Sequence, residues 1–483
     1  MLRDLIKEGS LYTLANLLTK GVSLLLIPFY TAYFTPSDYG IIEILLVFGG
    51  LVNALVSFQI YQGVSRYLGE PDISSEEKSK IGSTAIFFVL VAYTIACGLL
   101  IFFSDFFIDV LSSETKIPRN IFILSMISAS VNALFYSLGI QLRFLRKSTV
   151  FATSSFLHAL FTILLTLYFV LIDGQGISGI YWASIIVTPV IVLYQIYTLR
   201  SHLRFTFSKV WMKKIFMYSY PLIPAAVAYL ALNFTDRVYV KEILDFHELG
   251  LYSIASKFAS IISILVLGFS AALTPLVYES YKKEDTRPQL VTFFNAFFAI
   301  GTIGILGMSI FAEEILIIFT NPAYHEAYLV MPILFLSMFI TGLNMFSPGL
   351  YIEKKTKKIG VIVVISSLIN IGLNAYLIPK YALYGAAFST LFAMCLNNYL
   401  IYYLADKEYP LGIKMKRFLL PTLLFLLLIY IGNYVLNDYT AEYGMFAVII
   451  VKCLLWISFI LYLLYLNLLD FGLVKKIFIK KEK

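Results

Sequence analysis

Lys20, Arg237, Lys257 and Lys452 lie inside long apolar runs of this 483-residue chain, and so do Glu43 and Asp236. A charge inside a bilayer costs a few kcal/mol on insertion scales, so such residues face a watery interior or a partner. Tyr12, Asn16, Lys20 and Ser23 recur at steps of four, four and three and share one stripe of a helix. That stripe either lines a cavity or forms a buried hydrogen-bond cluster. Gln59, Gln62 and Arg66 follow at steps of three and four, with Arg66 near enough to the membrane edge to act also as a snorkelling anchor. Asp236 and Arg237 are sequence neighbours, which places them on different faces of a helix and gives each a partner elsewhere. Lys257 is the expected partner of Asp236. A carboxylate that loses such a partner takes up a proton, so Asp236 and Glu43 are the candidates for ion coupling.

No catalytic residues are expected, because the chain lacks G-x-x-x-x-G-K-[ST], H-E-x-x-H and G-x-S-x-G. His158, His202, His247 and His325 have no metal-ligand spacing, so no metal site is expected. His158 sits within an apolar run and reads as a hydrogen-bonded interior residue. Cys97, Cys395 and Cys453 stand singly inside apolar runs and read as small core residues.

The elements that must position these residues are set by composition. The chain is 60% apolar and 14% charged, against about 45–50% and about 25% in an ordinary soluble domain. A soluble protein is excluded, and no polar stretch is long enough to form an extramembrane catalytic domain. Apolar runs bounded by charge, Pro or Gly predict fourteen spans near 11–34, 41–65, 81–104, 119–140, 149–172, 177–199, 215–239, 250–277, 289–311, 327–350, 359–379, 384–404, 418–436 and 445–468. The first is too long for a signal peptide and has no cleavage site, so it is expected to remain as a span. With the N-terminus inside, the cytoplasmic segments hold 29 of the 37 Lys and Arg residues and the outward loops hold 4, Lys116, Arg119, Lys241 and Lys380. Positive residues gather on the cytoplasmic side, so both termini are expected there. The net charge of +8 thereby reflects topology; no basic domain is present to wrap nucleic acid.

The chain repeats itself. Ser37-Asp38-Tyr39-Gly40-Ile41 matches His247-Glu248-Leu249-Gly250-Leu251, and Gly139 to Lys147 matches Gly349 to Lys357, both at an offset of 210. Gly179 to Ser184 matches Gly385 to Thr390 at 206. An all-α fold follows, with two pseudo-symmetric six-helix lobes, 1–206 and 207–409, and two appended helices with a basic tail over 410–483. Six is even, so the lobes run in the same direction about an axis along the membrane normal and enclose a cavity. Pro28, Pro189, Pro221, Pro224, Pro275 and Pro348 interrupt spans and are expected to kink them.

Several segments look familiar together. Thr35 to Gly40, Tyr220-Pro221-Leu222-Ile223-Pro224, Thr235-Asp236-Arg237 and Leu249 to Lys257 resemble the polysaccharide-biosynthesis flippases of the multidrug/oligosaccharidyl-lipid/polysaccharide (MOP) exporter superfamily, as do Asn321 to Tyr324 and Ile378-Pro379 with Tyr384 to Ala387. The group includes O-antigen and capsule repeat-unit translocases. The resemblance implies a MATE-like fold and a bacterial cytoplasmic-membrane protein that moves an undecaprenyl-diphosphate-linked oligosaccharide to the outer leaflet by alternating access. It implies no bound cofactor, H⁺ or Na⁺ as the coupling ion, and lipids and other polysaccharide-assembly membrane proteins as partners. Lys20, Asn16, Gln59, Gln62, Arg66, Arg237 and Lys257 would then line the substrate cavity, their cations meeting the diphosphate.

A lipid II flippase would use the same architecture. Multidrug efflux would favour an acidic cavity, against the four cations and two carboxylates counted within spans. A membrane glycan polymerase would carry one long outward loop, whereas the longest here, near 104–118 and 312–326, are about fifteen residues.

Overall fold

The computed structural model describes residues 21, 24, 26–112, 115–204, 206–283, 286–439 and 444–468. Lys20 and Asn16, with most of the first expected span, lie outside them. The described residues are helical, with no strand among them. Among the described residues eleven helices are long and apolar enough to cross a membrane, twelve if the bent pair Pro322–Leu329 and Met331–Phe346 forms one span. One of the eleven, Thr356–Glu408, changes direction at Ala382. The chain is a multi-pass membrane protein.

The chain folds as two compact units: residues 1–253 with 374–379, and residues 254–373 with 380–483. In the first unit α1 (Pro36–Val56), α2 (Ile60–Gly69), α3 (Ser75–Phe102), α4 (Arg119–Phe144), α5 (Ser148–Leu167) and α6 (Ile177–Leu199) are followed by α7 (Lys209–Ser219) and α8 (Ile223–Ile243). The starts of α1 and α3 are written in the sequence. Thr35 accepts from the Asp38 N–H while the Asp38 carboxylate accepts from the Thr35 N–H, and Ser74 and Glu77 do the same, satisfying amides that a helix start leaves bare. The α4 helix packs against α3 and α6, and α5 against α6.

The span expected at 41–65 is not continuous. Phe58 and Gln59 adopt φ of 47° and 54°, a left-handed pair that separates α1 from α2. Neither is glycine, so the surrounding packing must hold them there against a cost of order 1–3 kcal/mol each. Ser57 helps by accepting from the Gln59 N–H at 3.2 Å. The expected hinges at proline are only partly realised. Pro189 lies inside α6 without a break, Pro221 sits in the 3₁₀ turn between α7 and α8, and Pro224 occupies the first turn of α8, where its missing N–H is not needed.

The internal repeat appears as backbone conformation. Arg146 and Lys354 both adopt φ near 55°, at 56° and 55°. Each closes a Schellman turn: Lys147 N–H bonds Leu142 O and Lys355 N–H bonds Leu350 O, both at 2.8 Å. The register there is 208 residues rather than the 210 read from the glycines, because the left-handed residue and its two bonds fix the turn. Gly176 (φ 56°, ψ −138°) and Ala382 (φ 48°, ψ −129°) form a second pair at 206.

The α9 helix (Phe246–Ala259) begins in the first unit. Its start crosses the start of α1 so closely that a Cβ on Gly40 would lie 2.1 Å from the Phe246 carbonyl oxygen, and one on Gly250 would lie 1.8 Å from that of Pro36. Pro36 and Phe246, like Gly40 and Gly250, are repeat equivalents. Each motif therefore packs on its own copy.

In the second unit α10 (Thr286–Ile310) carries an aromatic core, with Phe297 stacked on Phe339 at 5.1 Å and Phe298 against Phe418 at 4.7 Å. The helices α11 (Ala312–Phe319), α12 (Thr356–Glu408, apart from residues 374–379), α13 (Lys416–Tyr430) and α14 (Met445–Tyr465) follow. On α14 Trp456 donates to the Ile303 carbonyl at 2.9 Å, and fully buried Lys452 pairs with Glu314 at 2.5 Å. Lys452 thus ties an appended helix to α11. The neighbouring Glu313 is held above the usual carboxylate range, first by burial and then by the charge of Glu314. A raised carboxyl favours the folded state at low pH and costs stability as pH rises through its folded value. Glu313→Gln is therefore expected to stabilise the protein at neutral pH and to do nothing near pH 4, measured by thermal unfolding in detergent at both values.

Candidate transport site

Two polar features occupy the first unit. The first is an ionic network where α1, α8 and α9 meet. Arg237 donates through Nε to Glu43 Oε1 at 2.6 Å and through Nη1 to Asp236 Oδ1 at 2.9 Å. Tyr252 donates to the other oxygen of Asp236 at 2.6 Å, and Ser253 to Glu43 Oε2 at 2.9 Å. All three charged residues are buried. The expectation that Asp236 and Arg237 cannot meet is overturned. The long guanidinium folds back along its own helix, also reaching the Asn233 carbonyl at 2.9 Å, so one residue of separation does not prevent the pair. Glu43 and Ser253 are 210 residues apart and occupy equivalent places in the repeat. Lys257 is half-buried on α9, in the portion assigned to the second unit.

The second feature is a cavity of about 330 Å³, within the about 300–1,000 Å³ usual for ligand pockets. Gly49, Val52 and Asn53 line it from α1, with Tyr93, Ala96 and Cys97 from α3. Met126, Ala129, Ser130, Asn132 and Tyr136 face it from α4. The break after α1 supplies Gln59, and α2 supplies Tyr61 and Gln62. Small residues leave the room; amides, phenols and a hydroxyl make its polar wall. No carboxylate or cation is among the lining residues. Tyr93 donates to Asn53 across the wall. A second cavity of about 380 Å³ shares Tyr61, Gln62 and Tyr136 with the first and adds Ser65 and Arg143. The Arg143 guanidinium lies 5.2 Å from the centre of the Phe151 ring. In the second unit the cavity lined by Thr274, Asn344 and Tyr351 is smaller, about 150 Å³.

The structure thus brings Gln59 and Gln62 to a cavity and gathers Glu43, Asp236 and Arg237 into one buried network. Arg66 is elsewhere: it is exposed and pairs with Glu70 at 3.2 Å, with the Tyr218 ring 5.7 Å away. Lys241, read from sequence as an outward-loop residue, is buried at the end of α8, donating to the Ser112 carbonyl at 3.2 Å. Asn53, Tyr93, Ser130, Asn132 and Tyr136 were missed. Attention to charge passes over them, although Met126, Ala129, Ser130, Ala133 and Tyr136 repeat at helical steps as a small and polar stripe.

The fold is one found among solved flippases and transporters of membranes. Two solved structures share the fold. The lipid II flippase MurJ, in an inward closed conformation, matches with a TM-score of 0.73 at 17% identity, covering 93% of this chain and 97% of that one. An inward-facing MATE-family multidrug resistance transporter matches with a TM-score of 0.66 at 13% identity, covering 80% and 94%. An uncharacterized membrane protein of Methanocaldococcus jannaschii is 24% identical over 417 residues, 80% of this chain and 81% of that one. The family of polysaccharide biosynthesis proteins matches residues 5–281, more than half the chain, and the chain belongs to it. The MatE family matches residues 221–376.

Proposed function

We propose that the protein is a flippase for an undecaprenyl-diphosphate-linked oligosaccharide and that the cavity among α1 to α4 receives the sugars. The observation that carries this reading is the lining. Asn53, Gln59, Gln62 and Asn132 offer amide donors and acceptors suited to hydroxyl groups, and Tyr61, Tyr93 and Tyr136 offer flat apolar rings. A site for cationic drugs would need carboxylates, and the lining residues include none. Arg143, which lines the adjoining cavity, would meet the diphosphate as a bidentate donor. Lys20, Arg237 and Lys257 remain the proposed cations along the rest of the route, with both termini in the cytoplasm of a bacterial cell.

The test is transfer in proteoliposomes of a fluorescent undecaprenyl-diphosphate-linked oligosaccharide, read as label protected from an external quencher. Transfer by the wild-type chain is expected. The double variant Gln62→Leu, Tyr136→Ala is expected to transfer at least about tenfold more slowly, since two hydrogen-bonding groups are lost. Extrusion of ethidium with no glycan transfer would establish the efflux reading instead.

A further inference from the structure

Leu90, Thr94 and Gly98 stand at steps of four on α3 and are exposed on one outward face of that span. With Ile127, Val131 and Leu134 of α4 they line a groove of about 330 Å³ between the two helices. Its aliphatic side chains make it apolar, and no charged residue is among its lining residues. One wall is shared. Tyr93, Cys97 and Ser130 line both this groove and the cavity among α1 to α4, so a single layer of side chains separates an apolar groove on the outside from a polar chamber within.

The internal repeat supplies a comparison. The α3 and α10 helices are equivalent at 208 residues: they end at Phe102 and Ile310, each one residue before a helix of eight, Ser104–Leu111 and Ala312–Phe319. The counterparts of Leu90, Thr94 and Gly98 are therefore Phe298, Thr302 and Leu306, and all three are buried. Phe298 packs on Phe418 of α13 at 4.7 Å, and α14 reaches α10 through the bond from Trp456 to the Ile303 carbonyl. The same face is thus covered by protein in the second unit and open in the first, and glycine stands at the open face where its copy has leucine. Gly82 on α3 has to be small, because a Cβ there would lie 2.6 Å from Gln141 Oε1, whereas a Cβ on Gly98 meets no atom within 4 Å. Helix packing does not require Gly98, although glycine weakens a helix interior. The room it keeps serves something other than a neighbouring helix.

We propose that the groove between α3 and α4 seats the polyisoprenyl chain of the lipid-linked glycan while the sugars occupy the cavity behind Tyr93, Cys97 and Ser130. The assignment rests on reading that cavity as the sugar site. Such an amphiphile has to keep its sugars hydrogen-bonded and its chain among apolar groups, so it needs adjoining compartments of opposite polarity, and these two share a wall. The order of the molecule is respected as well. Arg143, proposed to meet the diphosphate, lies nine residues beyond Leu134, about 14 Å along α4. From a diphosphate held there, the sugars turn inward and the chain runs along the outer face of the same helix. Membrane hydrocarbon is as apolar as the groove, so seating the chain gains van der Waals fit rather than hydrophobic burial. The groove fixes where the chain lies and so keeps the head beside its chamber.

The test uses the full chain in lipid nanodiscs and undecaprenyl phosphate that carries a diazirine in its isoprenoid chain and no sugar. Illumination is expected to label residues 89–98 and 127–134, and excess unlabelled undecaprenyl phosphate should suppress that labelling. Gly98→Leu installs the residue found at the equivalent place in the second unit and fills the groove. It is expected to cut labelling there at least about fivefold while the chain stays folded. Val131→Phe fills the groove from α4 and should act in the same way, which keeps the test available if the first variant does not fold. Label spread evenly over the spans, label on α13 and α14 instead, suppression by phosphatidylglycerol as effective as by undecaprenyl phosphate, or unchanged labelling in the folded variants would each overturn the proposal. Both variants should bind the free oligosaccharide as the wild-type chain does; a parallel loss would show one compartment rather than two and would overturn it as well. A wild-type chain that takes the label in the groove but binds no oligosaccharide would lose the sugar reading and keep the polyisoprenyl site.

Discussion

Replacing Arg237 by alanine is expected to lower the stability of the folded chain by about 3–5 kcal/mol, the cost of removing one partner from a buried ion network. Glu43 and Asp236 would then lie buried with their shared guanidinium gone, and neither can move to water without displacing α1 or α8. Arg237 also packs between aromatic rings, 4.9 Å from the centre of Phe234 and 5.6 Å from that of Tyr252, so alanine leaves a cavity as well as a charge imbalance. The triple variant Glu43→Gln, Asp236→Asn, Arg237→Gln removes these three charges together and keeps near-isosteric polar groups at positions 43 and 236, and it should be markedly milder than the single change. Thermal unfolding of the purified variants in detergent separates the two cases. Equal losses for the single and triple variants would show that packing, rather than charge pairing, holds the crossing together.

The second large effect is expected at the crossing of α1 with α9. Gly40→Ala or Gly250→Ala puts a methyl about 2 Å from a backbone carbonyl, well inside contact distance. A backbone carbonyl at a helix start cannot swing aside as a side-chain tip can, so the two helices must separate. Overpacking of this kind costs about 1–3 kcal/mol and sometimes more, and here it would also stretch the Ser253 to Glu43 bond one turn away. The double variant should cost less than the sum of the singles, because separating the helices once makes room for both methyls. Additive losses measured by unfolding would contradict the shared contact. Gly63→Ala gives a useful comparison. There the nearest atom is the Ser219 hydroxyl at 2.7 Å, which can rotate away, although the Ile215 carbonyl at 2.9 Å limits the relief.

These expectations show how the sequence divides what it reveals. Apolar run length is a local property set by bilayer thickness, so repeated crossing of a membrane could be read directly, though not the exact number of spans. The repeat was legible too, since Gly40 and Gly250 are equivalent glycines of two matching motifs that cross each other. The fold of the first unit was therefore largely visible in the order of residues. The broken span was not. Phe58 and Gln59 are ordinary residues for a straight helix, and only packing from neighbouring helices can hold them left-handed.

The site divides in the same way. Charges within apolar runs flagged Glu43, Asp236 and Arg237, because membrane burial makes any charge conspicuous in a sequence. Which carboxylate met which cation was undecidable there, since the reach of a guanidinium depends on the rotamer that its neighbours allow. Uncharged amides and tyrosines carry no comparable cost and passed unnoticed until α1, α2, α3 and α4 placed them around one space. The amino-acid order alone determined that the chain crosses a membrane repeatedly, that it is built from a duplicated unit, and that it resembles the polysaccharide exporters. Tertiary structure alone decided that the described lining of the cavity is neutral and that Arg237 lies in a buried network, Lys452 in a buried pair and Arg66 in an exposed one. The reason is physical: hydropathy and helical period are summed along the chain, whereas a cavity and a chain of hydrogen bonds exist only between helices distant in sequence.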